Sequence, residues 1–231
     1  MDDLSIILPV YNERKSISIV LREWHQILKK NNIIFNFVIS EDGSTDGTKE
    51  ILQKLKKKYP LYLNQKNNRR GYSQALIDGI LTSKSRYILC IDSDGQCSPG
   101  DFPKFWKEKG KADILIGNRT YRSDDMQRKF FSLLFKIFFR ILFPNSIKDP
   151  SAPFVLFRRQ TVLPFIRSLN LLREGFWWGF MACCVKNNLT IYEIPISHRK
   201  RIKGDTQIYH LKEIPAIALR NMIGLFRLRF I

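Results

Sequence analysis

The sequence predicts a layered α/β domain with a mostly parallel central sheet flanked by helices. Short apolar runs alternate with amphipathic stretches through the first ninety residues, and each principal run ends in a polar, turn-forming cluster. No Gly/Ser/Pro-rich linker divides the 231 residues. Strands separated by helices cross over and pair in parallel, which places a ligand crevice at the carboxyl ends of the strands.

The elements follow in order. Residues 4–10 (LSIILPV) form an apolar run of strand length, suited to burial on both faces. Ile17, Val20, Leu21, Trp24 and Leu28 recur at helical spacing within 15–30. Residues 35–40 read as a second strand, and Ser44, Thr45 and Asp46 supply capping oxygens for a helix over 46–58. A short strand over 62–64 and a helix over 72–82 come next. Residues 86–91 (RYILCI) then form a buried strand that runs directly into Asp92.

Two later stretches differ. Residues 126–143 (MQRKFFSLLFKIFFRILF) carry a narrow polar stripe at Lys129, Ser132, Lys136 and Arg140 on an otherwise apolar helix. Such a helix is either buried core or an interfacial helix with its broad face among lipid headgroups. Residues 211–231 are apolar with Arg220, Arg227 and Arg229, and read equally as a second surface contact or a packing helix. Charges interrupt both before roughly 20 apolar residues accumulate, so neither is a membrane span. The expected organisation is one domain over 1–210 and an amphipathic helical segment over 211–231, packed on the domain or at a membrane surface.

At 44% hydrophobic, the chain can bury a substantial core. Its net charge of +18 predicts attraction to polyanions: nucleic acid, anionic headgroups or phosphorylated substrates. No helix-turn-helix, zinc-finger or RNP-like signature accompanies the charge, so nucleic acid is not expected as a partner. Lys54, Lys56, Lys57 and Lys58 read as a solvated helix face. The cysteines (Cys90, Cys97, Cys183, Cys184) form no C-x-x-C pair, which fits reduced thiols better than disulfides or zinc. The opening Met-Asp-Asp leads straight into a strand, and no signal peptide is expected.

The motif Asp92-Ser93-Asp94-Gly95-Gln96 carries the strongest chemistry. Two carboxylates one residue apart at a strand terminus can reach one hard cation, and Gln96 offers a third oxygen. Mg²⁺ or Mn²⁺ held this way completes its shell with water and substrate phosphates. D-x-D alone is a weak signal; its position after RYILCI strengthens it. Pro9-Val10-Tyr11-Asn12-Glu13 and Glu41-Asp42-Gly43-Ser44-Thr45-Asp46-Gly47-Thr48 also follow strands and precede helices. Their acids suit hydrogen bonds to a base or ribose, and equally suit simple turns and caps; spacing leaves both open.

PVYNE, EDGSTDGT and DSDGQ, in this order and at these separations, resemble glycosyltransferase family 2 and its GT-A fold, and within it the dolichol/polyprenyl-phosphate sugar synthases. The likeness continues through Gly117-Asn118-Arg119, Asp149-Pro150-Ser151, Glu193-Ile194-Pro195-Ile196 and Arg201, and covers nearly the whole chain. It implies that Pro9, Tyr11, Glu13 and Asp42 line a nucleotide pocket, with Asp92, Asp94 and Gln96 at metal and diphosphate. Arg119, with Arg128 or Lys129, would meet an acceptor phosphate. Asp149 would sit near the reacting centre as an orienting group or base, and Arg201 would contact donor phosphates.

The implied activity is metal-dependent transfer of a sugar from a GDP- or UDP-linked donor to polyprenyl phosphate. The enzyme would act at the cytoplasmic face of a membrane as a peripheral protein, with homo-oligomerisation possible. A phosphate nucleophile is already anionic, so single displacement with inversion suffices. Two departures stand out: many relatives carry an acid within Phe176-Trp177-Trp178-Gly179-Phe180, where this chain has Gly179, and Gln207 replaces a lysine. The rivals are a family 2 enzyme with a soluble saccharide acceptor and an inactive transferase-like scaffold. A nucleotidyltransferase would want a Gly-rich phosphate loop, and PVYNE has no glycine.

Overall fold

The computed structural model describes residues 3–119, 126–201 and 214–230. The chain runs β1 (Leu4–Val10), α1 (Ile17–Lys30), β2 (Phe35–Asp42), α2 (Thr48–Lys56), β3 (Leu61–Lys66), α3 (Tyr72–Thr82) and β4 (Tyr87–Cys90). It continues through α4 (Phe102–Glu108), β5 (Ile114–Arg119), α5 (Met126–Leu142), β6 (Val155–Arg158) and the short α6 (Arg159–Val162). A 3₁₀ segment (Ile166–Leu171), α7 (Phe176–Lys186), β7 (Ile191–Ile196) and α8 (Ile214–Phe230) complete it.

The seven strands lie in the order β3-β2-β1-β4-β6-β5-β7. The expected parallel pairing is found: β1 lies parallel to β2, from Leu4 opposite Phe35 to Val10 opposite Glu41, and parallel to β4. β5 and β7 are also parallel, while β6 runs antiparallel to both β4 and β5. Every residue of β1 and of β2 is buried, as expected of parallel strands covered on both faces. Alternation assigns the layers: Ile7 and Val38 join the core under α3, α5, α7 and α8, whereas Ile6, Leu8, Phe37 and Ile39 pack with Trp24, Leu52 and Phe102 on the other face. Close packing of α3 on β1 requires Gly79, where an added Cβ would lie 2.5 Å from Ile7 Cγ2.

Element ends moved by one to three residues. The helix expected from 46 begins at Thr48; Asp46 acts just outside it, its carboxylate accepting from the Thr48 N–H (3.0 Å). The two late helices divide their faces. Phe139 of α5 and Phe143 just past its end are buried, and Trp178 of α7 packs edge-on against Phe135 and Phe139, with centroids 4.8 and 5.3 Å apart. Leu133, Leu134, Ile137 and Ile141 instead face outward, Ile141 at 73% exposure. Two members of the polar stripe tie the helix to the loop after it: Lys136 Nζ and Arg140 Nη2 donate to the carbonyls of Lys148 and Ile147. In α8, Leu225 and Leu228 are buried while Leu219, Ile223, Phe226 and Phe230 are exposed. Among the described residues no helix is long and apolar enough to cross a membrane.

Candidate functional site

The ends of β1, β2 and β4 open into one cleft of about 990 Å³. Its walls include Pro9, Tyr11, Glu13 and Asp42, with Asp92 and Asp94 at the centre. Arg119 from β5 and Arg201 beyond β7 also face it. The reversed direction of β6 matters here. Because Val155 at its start pairs with Cys90 at the end of β4, the chain ahead of β6 arrives at the same edge of the sheet and brings Ser151 and Pro153 into the wall.

At one end, local hydrogen bonds shape the loops. Asn12, held at φ 54°, receives the Thr45 N–H on Oδ1 (2.9 Å), and its own N–H donates to Ser44 Oγ (2.9 Å). Asp42 accepts the backbone N–H groups of Arg70 (2.7 Å) and Gly71 (2.8 Å), one on each oxygen. That grip sets the Arg69 guanidinium 4.1 Å from the Tyr11 ring centroid, a cation–π stack at the mouth of the cleft. Asp42 therefore fixes a turn and also lines the cleft.

At the centre, charge is concentrated. Asp94 Oδ1 accepts the Gln96 N–H (2.9 Å), and Asp94 Oδ2 lies 4.0 Å from Arg201 Nη1. Arg201 also pairs with Glu13, whose second oxygen accepts from the Ser16 hydroxyl. Burial pushes Glu13 up to about 7 despite those partners. Asp92 is likewise raised, first by burial and then by the charge of Asp94. Two carboxylates that destabilise each other as anions form a donor set that a hard divalent cation relieves, so the residues present fit Mg²⁺ or Mn²⁺. Among the described residues no group of three or more His, Cys, Asp or Glu side chains is arranged to hold a metal alone. The Gln96 side-chain nitrogen donates to the Arg199 carbonyl (3.3 Å), and Gln96, whose oxygen was expected as a ligand, is not part of the cleft wall.

At the far end, Arg119 and Asp149 are bound to each other. Arg119 Nε and Nη2 donate to the two Asp149 oxygens (2.7 and 2.9 Å), and Nη2 also reaches Ser151 Oγ (2.9 Å). Both side chains are nearly buried, at 10% and 7% exposure. Arg119 faces the cleft and Asp149 stands behind it. Glu193 Oε1 in turn accepts the N–H groups of Lys148 and Asp149. Arg128 and Lys129 fall in the first turns of α5, with side chains outside the described residues, as is Gln207.

Sequence reasoning passed over Tyr72 and Trp177. The Trp177 indole N–H donates to the Tyr72 oxygen (2.9 Å), and the Tyr72 hydroxyl donates to Asp92 Oδ1 (2.7 Å). Only the place of Trp177 beside the altered Gly179 could have flagged it. Gly179 itself points away from the site: an added Cβ would lie 2.9 Å from Leu172 Cδ1 and 3.4 Å from Leu169 Cδ2, in apolar core.

Comparison with known proteins agrees with this geometry. The chain is 27% identical to a dolichyl-phosphate beta-glucosyltransferase of Dictyostelium discoideum, over 98% of this chain and 77% of that protein. It is 28% identical to a dolichol-phosphate mannosyltransferase of Pyrococcus furiosus, over 89% of this chain and 59% of that longer protein. Glucosyl-3-phosphoglycerate synthase from Mycobacterium tuberculosis, solved with Mn²⁺, uridine-diphosphate and phosphoglyceric acid, superposes with a TM-score of 0.75 at 16% identity, covering 100% of this chain and 79% of that one. Mannosyl-3-phosphoglycerate synthase from Rubrobacter xylanophilus gives 0.67 at 13% identity, over 98% and 73%. These two likenesses show the shared GT-A architecture. The family model for glycosyl transferase family 2 matches residues 5–163, and the chain belongs to that family of glycosyltransferases.

Proposed function

We propose that this glycosyltransferase moves a sugar, with inversion, from a GDP- or UDP-linked donor to a polyprenyl phosphate at the cytoplasmic face of a membrane. The observation that carries the reading is that one cleft gathers Tyr11 and Asp42, the acid pair Asp92 and Asp94, and the arginines Arg119 and Arg201. The names of the Dictyostelium and Pyrococcus relatives support the lipid phosphate acceptor. The M. tuberculosis structure named with Mn²⁺ and uridine-diphosphate supports the donor chemistry.

Asp92 and Asp94 would hold Mg²⁺ or Mn²⁺, which when bound neutralises charge on the departing diphosphate as a Lewis acid. Arg201, between Glu13 and Asp94, faces the donor phosphates. Arg119 is held through Nε and Nη2 by Asp149 and Ser151, which fixes its charge at the cleft wall for capture of the acceptor phosphate. That phosphate is already a nucleophile at neutral pH, so the protein's task is alignment behind the anomeric carbon. Asp149 then acts by orienting Arg119, and the sequence resemblance gives Arg128 or Lys129 as a further contact of the acceptor phosphate.

The outward apolar faces of α5 and α8 support a bilayer as the surface from which the lipid is taken. Leu133, Leu134, Ile137 and Ile141 on one helix and Leu219, Ile223, Phe226 and Phe230 on the other are exposed. Arg227 and Arg229 of α8 are exposed as well, and such residues favour anionic headgroups.

The test is to incubate the protein with Mn²⁺, a panel of GDP-mannose, UDP-glucose and UDP-N-acetylhexosamine, and either polyprenyl phosphate or a soluble saccharide. Lipid-linked product of inverted configuration is expected. Product on the saccharide alone would replace the acceptor, and retention of configuration would remove the single displacement. Absence of metal-dependent nucleoside diphosphate release from every donor would sink the reading.

A further inference from the structure

We infer that Tyr72, anchored by Trp177, is a positioning residue that fixes the Asp92 carboxylate for cation binding. The inference rests on the reading of Asp92 and Asp94 as the cation pair.

The donor order of the chain is set by chemistry. An indole N–H can only donate, so the Tyr72 oxygen accepts from Trp177 and the phenol proton goes to Asp92 Oδ1. With one oxygen committed at 2.7 Å, the carboxylate loses rotation about its last bond, and its orientation in the cleft is fixed before any ligand arrives.

The phenol is itself held from three directions. Its backbone opens α3 directly after Gly71, whose N–H donates to Asp42. The next residue, Ser73, donates its hydroxyl to the carbonyls of Leu172 (2.6 Å) and Arg173 (2.7 Å), tying the first turn of α3 to the segment ahead of α7. Trp177 then reaches the phenol from α7 and is itself 6% exposed. A tyrosine needed only to fill space would not require an indole partner 105 residues away. Groups that orient a metal's carboxylate or imidazole ligands in this way commonly control affinity for the ion.

The test measures Mn²⁺ affinity by electron paramagnetic resonance in the presence of uridine diphosphate, alongside the thermal midpoint. Tyr72→Phe is expected to weaken Mn²⁺ about 10- to 100-fold while the protein remains folded at the assay temperature. Trp177→Phe, which leaves the Tyr72–Asp92 bond but removes its anchor, is expected to weaken Mn²⁺ by a smaller factor. Tyr62→Phe, at a tyrosine exposed on β3, is expected to bind as the wild type does. Should Tyr72→Phe fail to fold, Trp177→Phe decides alone. Wild-type Mn²⁺ affinity in a folded Tyr72→Phe, or in Trp177→Phe when it stands alone, overturns the inference and leaves the cation pair intact. A wild-type protein that takes up no Mn²⁺ overturns both.

Discussion

The two walls of the cleft are built by different means. The wall from β1, β2 and the start of α3 spends its polar groups on backbone amides: Asp42 on Arg70 and Gly71, Asn12 on Thr45, Ser44 on Asn12. The other wall relies on side chains gripping side chains, Arg119 with Asp149 and Ser151, and Trp177 reaching across to Tyr72 at the start of α3. Backbone contacts tolerate side-chain change and give a rigid frame. Side-chain pairs couple positions tightly, so a single substitution there disturbs its partner as well. The acid pair lies where the two walls meet and depends on both.

Four substitutions would break or sharpen that contrast. Asp94→Asn is expected to have the largest effect, lowering kcat/KM by about 10³-fold, the scale of losing one preorganised electrostatic group. Steady-state kinetics across a Mn²⁺ titration checks it, and an unchanged value would remove Asp94 from the chemistry. Asp149→Asn strands Arg119 in a nearly buried site. Thermal or urea unfolding is expected to show a loss of about 3–5 kcal/mol, as for breaking a buried pair from one side, with kcat/KM for the lipid phosphate down about 10- to 100-fold. Near-normal turnover in that variant would rule out an essential base at this position.

Gly179→Glu tests whether the missing family acid belongs in the cleft. The side chain would meet Leu172 and Leu169, so stability is expected to fall by about 1–3 kcal/mol from overpacking alone, without a gain in turnover. Increased activity at equal stability would show that the segment can rotate. The mildest effect is on pH dependence. Glu13 is pushed up to about 7 in the folded protein from an ordinary 4.5, so between those values the native state binds a proton that the unfolded chain has released. Stability from this group is therefore present at low pH and falls as pH rises from 4.5 toward 7. Glu13→Gln is expected to flatten that part of the unfolding-temperature profile relative to wild type, and parallel profiles would contradict it.

The same contrast explains what was legible in the sequence. The first wall announces itself through local motifs, apolar runs followed by Asp-Gly or Pro-x-Tyr turns and then helical spacing, although its hydrogen bonds span 28 to 33 residues. Its acids could be named without coordinates. The second wall could not be read that way. Arg119 was found through resemblance, but its bond to Asp149 spans 30 residues, and the Trp177–Tyr72 bond spans 105. Nothing in either neighbourhood marks the partner. Gln96 was named from spacing, which gives reach and not direction. The polar stripe of 126–143 was likewise visible as a stripe, but the bonds of Lys136 and Arg140 depend on where residues 147 and 148 pass.

The lone reversed strand has a consequence for how such an enzyme can change. Because β6 enters the sheet from the cleft side, residues 143–154 form a tether clamped at α5 and at β6, outside the parallel frame of β1, β2 and β4. Lengthening or recasting that tether would reshape what meets Arg119 without shifting a single rung between β1 and its neighbours. If Arg119 meets the acceptor as proposed, acceptor choice and donor grip would drift independently, one by rebuilding a loop, the other only by altering the frame.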